Sequence, residues 1–214
     1  MSALGGVSQL PAEFLDALSG LRKAGRRSEI RLAEIPAPAR LAPFAVALGA
    51  EVFESSPTSP TSPTPPHGPA RLLMPAPEPE ELATGRFILL YDPEGSEVWN
   101  GRFRIVTYIR AQLEPDMGND ALLGSVAWTW LVEALANHGA RHHSTGGTAT
   151  RILSESYGSL EDRADTIDIE LRASWTPETA DVRRHLEAWS EMVCTFAGLP
   201  PLPAGVAHLP HRRS

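Results

Sequence analysis

From Arg102 to Leu113 the chain alternates with a period of two, and no other stretch limits its folding as strongly. Phe103, Ile105, Ile109, Ala111 and Leu113 fall on one side of an extended chain, with Arg102, Arg104, Val106, Tyr108, Arg110 and Gln112 on the other. Such a segment is an amphipathic strand with one face in a core. Residues 166–175 repeat the pattern, placing Ile167, Ile169, Leu171, Ala173 and Trp175 inward and Thr166, Asp168, Glu170, Arg172 and Ser174 outward. Arg86-Phe-Ile-Leu-Leu-Tyr91 is an apolar run too short for a helix and reads as a strand covered on both faces. Asp92-Pro-Glu-Gly95 suits a type I turn and Asn100-Gly101 a hairpin turn, so the chain is expected to reverse here. Weaker alternation predicts strands over residues 44–54 and 148–157, and Glu29 to Arg40 reads as extended, proline-punctuated chain.

An amphipathic sheet needs a cover, and three helices are available. The spacing of Phe14, Leu15, Leu18 and Leu21 predicts a first helix from Pro11 to about Ala24, whose carboxyl end is complemented by Arg22, Lys23, Arg26 and Arg27. A second runs from a cap at Asn119 or Asp120 to His138, where Gly139 stops it; Leu122, Leu123, Val126, Trp130, Ala134 and Leu135 form its stripe. Trp128 and Val132 lie off that stripe, so cover on more than one side is expected, by the sheet and by another helix or a subunit. Thr176-Pro-Glu178 reads as the start of a third helix that buries Val182, Leu186, Trp189, Val193 and Phe196. The expected fold is α+β, an antiparallel sheet of about five strands with three main helices in the order α-β-β-β-α-β-β-α. That order is similar, as a fold-level analogy, to the type III secretion chaperones, which are dimeric protein-binding modules.

The chain has 20 prolines, about twice the usual share, and many fall in Ser55-Ser-Pro-Thr-Ser-Pro-Thr-Ser-Pro-Thr-Pro-Pro66. That tract lacks apolar residues to bury and cannot offset its ordering entropy. The expected organisation is a flexible start (1–10), one domain (11–198) interrupted by a disordered insertion (55–82), and a proline-rich, basic tail (199–214).

At pH 7 the formal charge is −7, and the acid excess lies within residues 86–198, which argues against nucleic acid as a partner. Cys194 is the single cysteine and excludes an internal disulfide and thiolate-rich metal sites. The first ten residues carry no basic-then-apolar leader, and no apolar run reaches the ~18 residues of a membrane span. A cytoplasmic protein without a membrane partner is expected.

Ala37-Pro-Ala-Arg-Leu-Ala-Pro43, Leu82-Ala-Thr-Gly-Arg-Phe87, Ser174-Trp-Thr-Pro177 and Ala197-Gly-Leu-Pro-Pro201 resemble the actinobacterial family known as domain of unknown function 3000. The resemblance covers nearly the whole chain outside the proline-rich insertion. It implies a bacterial cytoplasmic protein from a GC-rich actinobacterium, and it brings no activity, cofactor or catalytic residue with it.

Most candidate chemistry reduces to simpler accounts. His138 and His142 have the spacing of a zinc-binding helix, but Gly139 interrupts that helix, so these and His143 read as loop histidines and no metal is expected. Ser144-Thr-Gly-Gly147 leads into a strand rather than a helix and lacks a Gly-Lys pair, so it reads as a turn and not a phosphate loop. Cys194 sits in an apolar helix as a core residue, and Trp128 and Trp130 read as core or interface rather than a stacking platform. Glu155, Asp168 and Glu170 read as partners of arginines across the sheet rather than as an acid and base. What remains is Arg102, Arg104, Tyr108 and Arg110 on one face of one strand, a candidate anion site. The simpler account is that Asp168 and Glu170 neutralise these arginines.

The sequence therefore points to a non-enzymatic protein-binding or adaptor module without a cofactor, homodimeric by analogy. Its expected partners are a second copy of itself and either an unknown protein or a small anion. The alternative is an enzyme acting on a small anionic substrate through the arginine face.

Overall fold

The computed structural model describes residues 10–53, 81–113 and 120–200. Six strands form one antiparallel sheet: β1 (Ile30–Ile35), β2 (Phe44–Phe53), β3 (Glu81–Ser96), β4 (Gly101–Leu113), β5 (His142–Ser154) and β6 (Thr166–Pro177). Their spatial order is β1-β2-β3-β4-β6-β5. The first four strands make a meander of consecutive antiparallel neighbours. The chain then passes to the far edge for β5 and returns as β6 into the slot beside β4. Among the described residues three α-helices complete the α+β fold: α1 (Ala12–Arg22), α2 (Leu123–Asn137) and α3 (Arg183–Phe196).

All three helices lie on the sheet face that carries Phe87, Ile105, Ile109, Leu171 and Trp175, and these side chains are buried with Leu131, Leu135, Leu186 and Trp189 in one core. Close approach depends on two missing side chains. A Cβ on Gly85 would stand 2.6 Å from the Trp189 ring, and one on Gly147 would stand 2.8 Å from the Trp128 ring. Glycine at these strand positions lets α3 and α2 seat their tryptophans against the sheet backbone. Among the described residues no helix is long and apolar enough to cross a membrane.

Several expectations are corrected. The sheet has six strands because Ile30–Ile35, read only as extended chain, pairs along its whole length with β2. β3 does not turn at Asp92. The Asp92 carboxylate accepts the Glu94 N–H at 3.0 Å, but this local turn is absorbed as an irregularity in β3 pairing, and the chain reverses only at residues 97–100. Glu81 and Leu82, assigned to the disordered insertion, belong to β3, whereas the tract over residues 55–80 lies outside the described residues. β5 begins at His142, so Ser144 to Gly147 is a strand with a register shift between His143 and Gly146, not a turn.

Thr176-Pro-Glu178 does not start a helix. β6 continues to Pro177, and Thr176, only 1% exposed, donates its hydroxyl proton to the Trp99 carbonyl at 2.5 Å. α3 starts six residues later, at Arg183, and buries every apolar residue expected of it. In α2 the stripe is rotated. Ala127 and Leu131 form its buried centre, Leu122 is exposed, and Asp120 takes the Leu122 N–H from outside the helix. Trp128 faces β5, and Trp130 meets Phe196 edge-on at 6.3 Å, so both flanks of α2 touch the rest of the chain, with the two rings half-buried. Arg27 does not cap α1. It is buried and donates to the Pro200 carbonyl and to Glu29, which draws Leu199 and Pro200 out of the expected loose tail and onto the domain.

Candidate functional site

Because the helices share one face, the opposite face of the sheet has no helix on it among the described residues. Strand pairing arranges its side chains in rows that cross the strands. One row runs Ile35, Ala47, Ile88, Val106, Ser174, Gly146. On one side of it lies Ala33, Gly49, Arg86, Tyr108, Arg172, Thr148, and on the other lie Leu90 and Arg104. A low, mostly apolar row is thus bordered by arginines on both sides. The next row out holds Arg31, Glu51, Thr84, Arg110, Glu170 and Thr150.

Three of the four anticipated residues share this face. Arg110 donates from Nη2 to Asp168 at 2.8 Å, and this bond holds its proton more firmly than usual. Tyr108 donates its hydroxyl to Glu170 at 2.8 Å; burial, and then that bond, raise its pKa. Arg172 pairs with the same Glu170 at 3.0 Å and lies over the Tyr108 ring. The expected neutralisation by Asp168 and Glu170 is therefore present around Arg110 and Arg172. Arg102 leaves the group, since its guanidinium turns to Glu13 of α1 at 2.8 Å, beside the Tyr91 hydroxyl that bonds the same carboxylate.

Arg104 differs from all of these. Nη1 donates to the Ser144 carbonyl at 2.8 Å and to Thr176 Oγ1 at 3.1 Å, and Nη2 donates to Ser174 Oγ at 2.6 Å. Among the described residues no carboxylate pairs with it, and burial lowers its pKa.

Two hollows interrupt the face. One, of about 400 Å³, lies between β1 and β4 and is lined by Arg31, Glu51, Arg86, Tyr108 and Arg110 over a floor that includes Gly49. The other, of about 300 Å³, lies over Val106, Gly146 and Ser174. Arg31, Arg86, Arg172 and Ser174 were not singled out from the sequence as site residues. The alternation of residues 166–175 points the last two outward, whereas Arg86 opens a run that reads as covered on both faces.

The other candidates are dispersed. His138 meets Glu191 of α3, His142 meets the Ala140 carbonyl, and His143 meets Ser144 Oγ. Among the described residues no three of His, Cys, Asp or Glu come together as a metal-ligand set. Cys194 is fully buried, and burial pushes its thiol up to about 11, so it is held protonated in the core. No curated protein and no solved structure matches the chain. A family model matches residues 10–207, and the chain belongs to the proteins of unknown function designated DUF3000.

Proposed function

We propose that this protein is a non-enzymatic binding module that takes an acidic, amphipathic segment of a partner protein across the open face of its sheet. The observation that carries the proposal is the apolar row Ile35, Ala47, Ile88, Val106 bordered by Arg104 on one side and by Arg86 and Arg172 on the other. This basic border occurs on a chain whose formal charge is −7, so it is a local feature and not a general property of the surface. With its continuation over Ser174 and Gly146 the row crosses five strand spacings of about 4.8 Å and is roughly 24 Å long. A helix of about sixteen residues would span it. Apolar side chains of such a segment would lie on the row, with carboxylates reaching the arginines on its sides.

Catalysis on a small anion is the weaker reading. Asp168 and Glu170 are held by Arg110, Tyr108 and Arg172, and the hollows open to solvent instead of enclosing a substrate.

The test is selection of random peptides of about sixteen residues, the length of the row, on the parent protein and on Arg86→Glu. Acidic sequences with apolar residues at helical spacing should be enriched on the parent and lost on the variant. Peptides without an acid excess, or ones that bind both proteins equally, would refute the proposal.

A further inference from the structure

We infer that the open face, toward its β5 end, also binds a small oxyanion, a phosphate or carboxylate group, held by Arg104 and Ser174 beside Gly146. Of the five arginines on this face, Arg31, Arg110 and Arg172 each have a carboxylate partner, Glu51, Asp168 and Glu170 respectively. Arg104 is fixed by three hydrogen bonds, but every acceptor is neutral. Neutral oxygens hold the guanidinium in place without cancelling its charge, and its desolvation leaves that charge in need of a counter-ion. A guanidinium has five N–H donors, so two of Arg104's remain for a ligand.

The surrounding chemistry fits the same ligand. Thr176 Oγ1 accepts from Arg104 and gives its own proton to the Trp99 carbonyl. Ser174 Oγ also accepts from Arg104, but among the described residues its proton has no acceptor, and Ser174 lines the hollow of about 300 Å³. A hydroxyl polarised by a guanidinium and retaining its proton is a donor suited to an anion. Gly146 forms another wall. A Cβ there would meet nothing within 4 Å, so the space above it is open. The register shift between His143 and Gly146, with Ser144 at φ 52°, accompanies the Ser144 carbonyl bond that holds Arg104. The hollow is lined by Ser174, Gly146 and Arg172, with Arg104 bonded to its rim through Ser174 Oγ, and it is several times a water molecule's share of about 30 Å³, room for an oxyanion and the first atoms of whatever carries it.

The site shares Arg104 with the border described above, but the two readings are tested apart, because anion binding is read at Gly146 and peptide binding at Arg86. The experiment is titration of the full chain with inorganic phosphate and, separately, acetate, followed by the backbone amide signals of Gly146 and Thr148. Saturable shifts with either anion are expected, and the tighter one identifies the group the site takes. Arg104→Gln and Gly146→Val should each weaken that binding by roughly tenfold or more. Gly146→Val should also keep the parent melting temperature, since its side chain enters empty space, so it remains a test even where Arg104→Gln disturbs the fold. Arg86→Gln should leave anion binding unchanged. Absence of saturable shifts, survival of binding in Gly146→Val, or an equal loss in Arg86→Gln would overturn the inference; the last would mean only the diffuse charge of the face.

Discussion

His185 should make the domain acid-sensitive by an amount that can be worked out from its surroundings. The ring is 2% exposed on α3, and Trp175 donates its indole N–H to His185 Nδ1 at 3.0 Å, which fixes Nδ1 as an unprotonated acceptor. Burial first, and then the nearby His142, push its pKa from 6.5 down to about 4, against a weaker opposing pull from Asp181. The unfolded chain takes up a proton near 6.5 while the folded chain resists until about 4, so across that window the unfolded state binds more protons and stability rises with pH. The contribution is complete above the unfolded value and is lost progressively as pH falls toward the folded one. A gap of this size corresponds to about 3 kcal/mol, a large part of an ordinary domain's net stability. His185→Asn keeps an acceptor near the Nδ1 position and removes the titration. Urea unfolding followed by tryptophan fluorescence between about pH 7.5 and pH 4 should show the parent losing its advantage over the variant as pH falls. Parallel curves would mean that the folded domain accommodates the imidazolium, and the reasoning about His185 would fail.

Gly85→Ala should cost about 1–3 kcal/mol in the same unfolding assay, because its Cβ would stand 2.6 Å from the buried Trp189 ring; an unchanged midpoint would mean that α3 seats loosely on the sheet. Self-association was expected from the apolar circumference of α2, where Trp128 and Trp130 pack half-buried against β5 and Phe196 of the same chain and Val132 is 40% exposed. Val132→Asp should leave the sedimentation coefficient at micromolar concentration unchanged, and a shift would give α2 the role of a subunit contact.

How much could be read in advance depended on how completely each element is covered. α3 and β6 are packed closely, and their apolar residues occupy the buried positions expected of them. β5 lies at an edge, is rich in Ser, Thr and Gly, and is exposed along most of its length, so burial imposes little pattern on it and the expected start at residue 148 falls six residues after the observed one. β1, the other edge, is six residues with a single fully buried side chain, Ile30, too little to show alternation. In α2 apolar residues surround the helix, and the phase of a stripe cannot be found where several phases fit equally well. At Thr176-Pro-Glu178 the local signal was real, but tertiary context overrode it, with Thr176 buried and bonded to the Trp99 carbonyl.

The open face shows a different limit. Parity along β4 correctly put Arg104, Tyr108 and Arg110 on one side, because side-chain direction in a strand follows from the backbone alone. Whether an arginine there is neutralised depends on which strand lies beside it and in what register. β6 rather than β5 is the neighbour of β4, and its register sets Glu170 opposite Arg110 and Arg172 opposite Tyr108. The same register brings Ser174 opposite Val106, where the Arg104 side chain reaches it and meets hydroxyls instead of carboxylates. A one-residue slip would turn Asp168 and Glu170 into the core and remove the distinction altogether. Arg102 has the same parity as Arg104 but lies at the strand end, where Glu13 of α1 is within reach around the edge. Four residues that are equivalent by spacing thus become a neutralised pair, a tyrosine bonded to an acid, an arginine turned toward a helix and one charge without a counter-ion. Only the last has a charge still to be matched, which is why the anion inference rests on Arg104 and not on the strand as a whole.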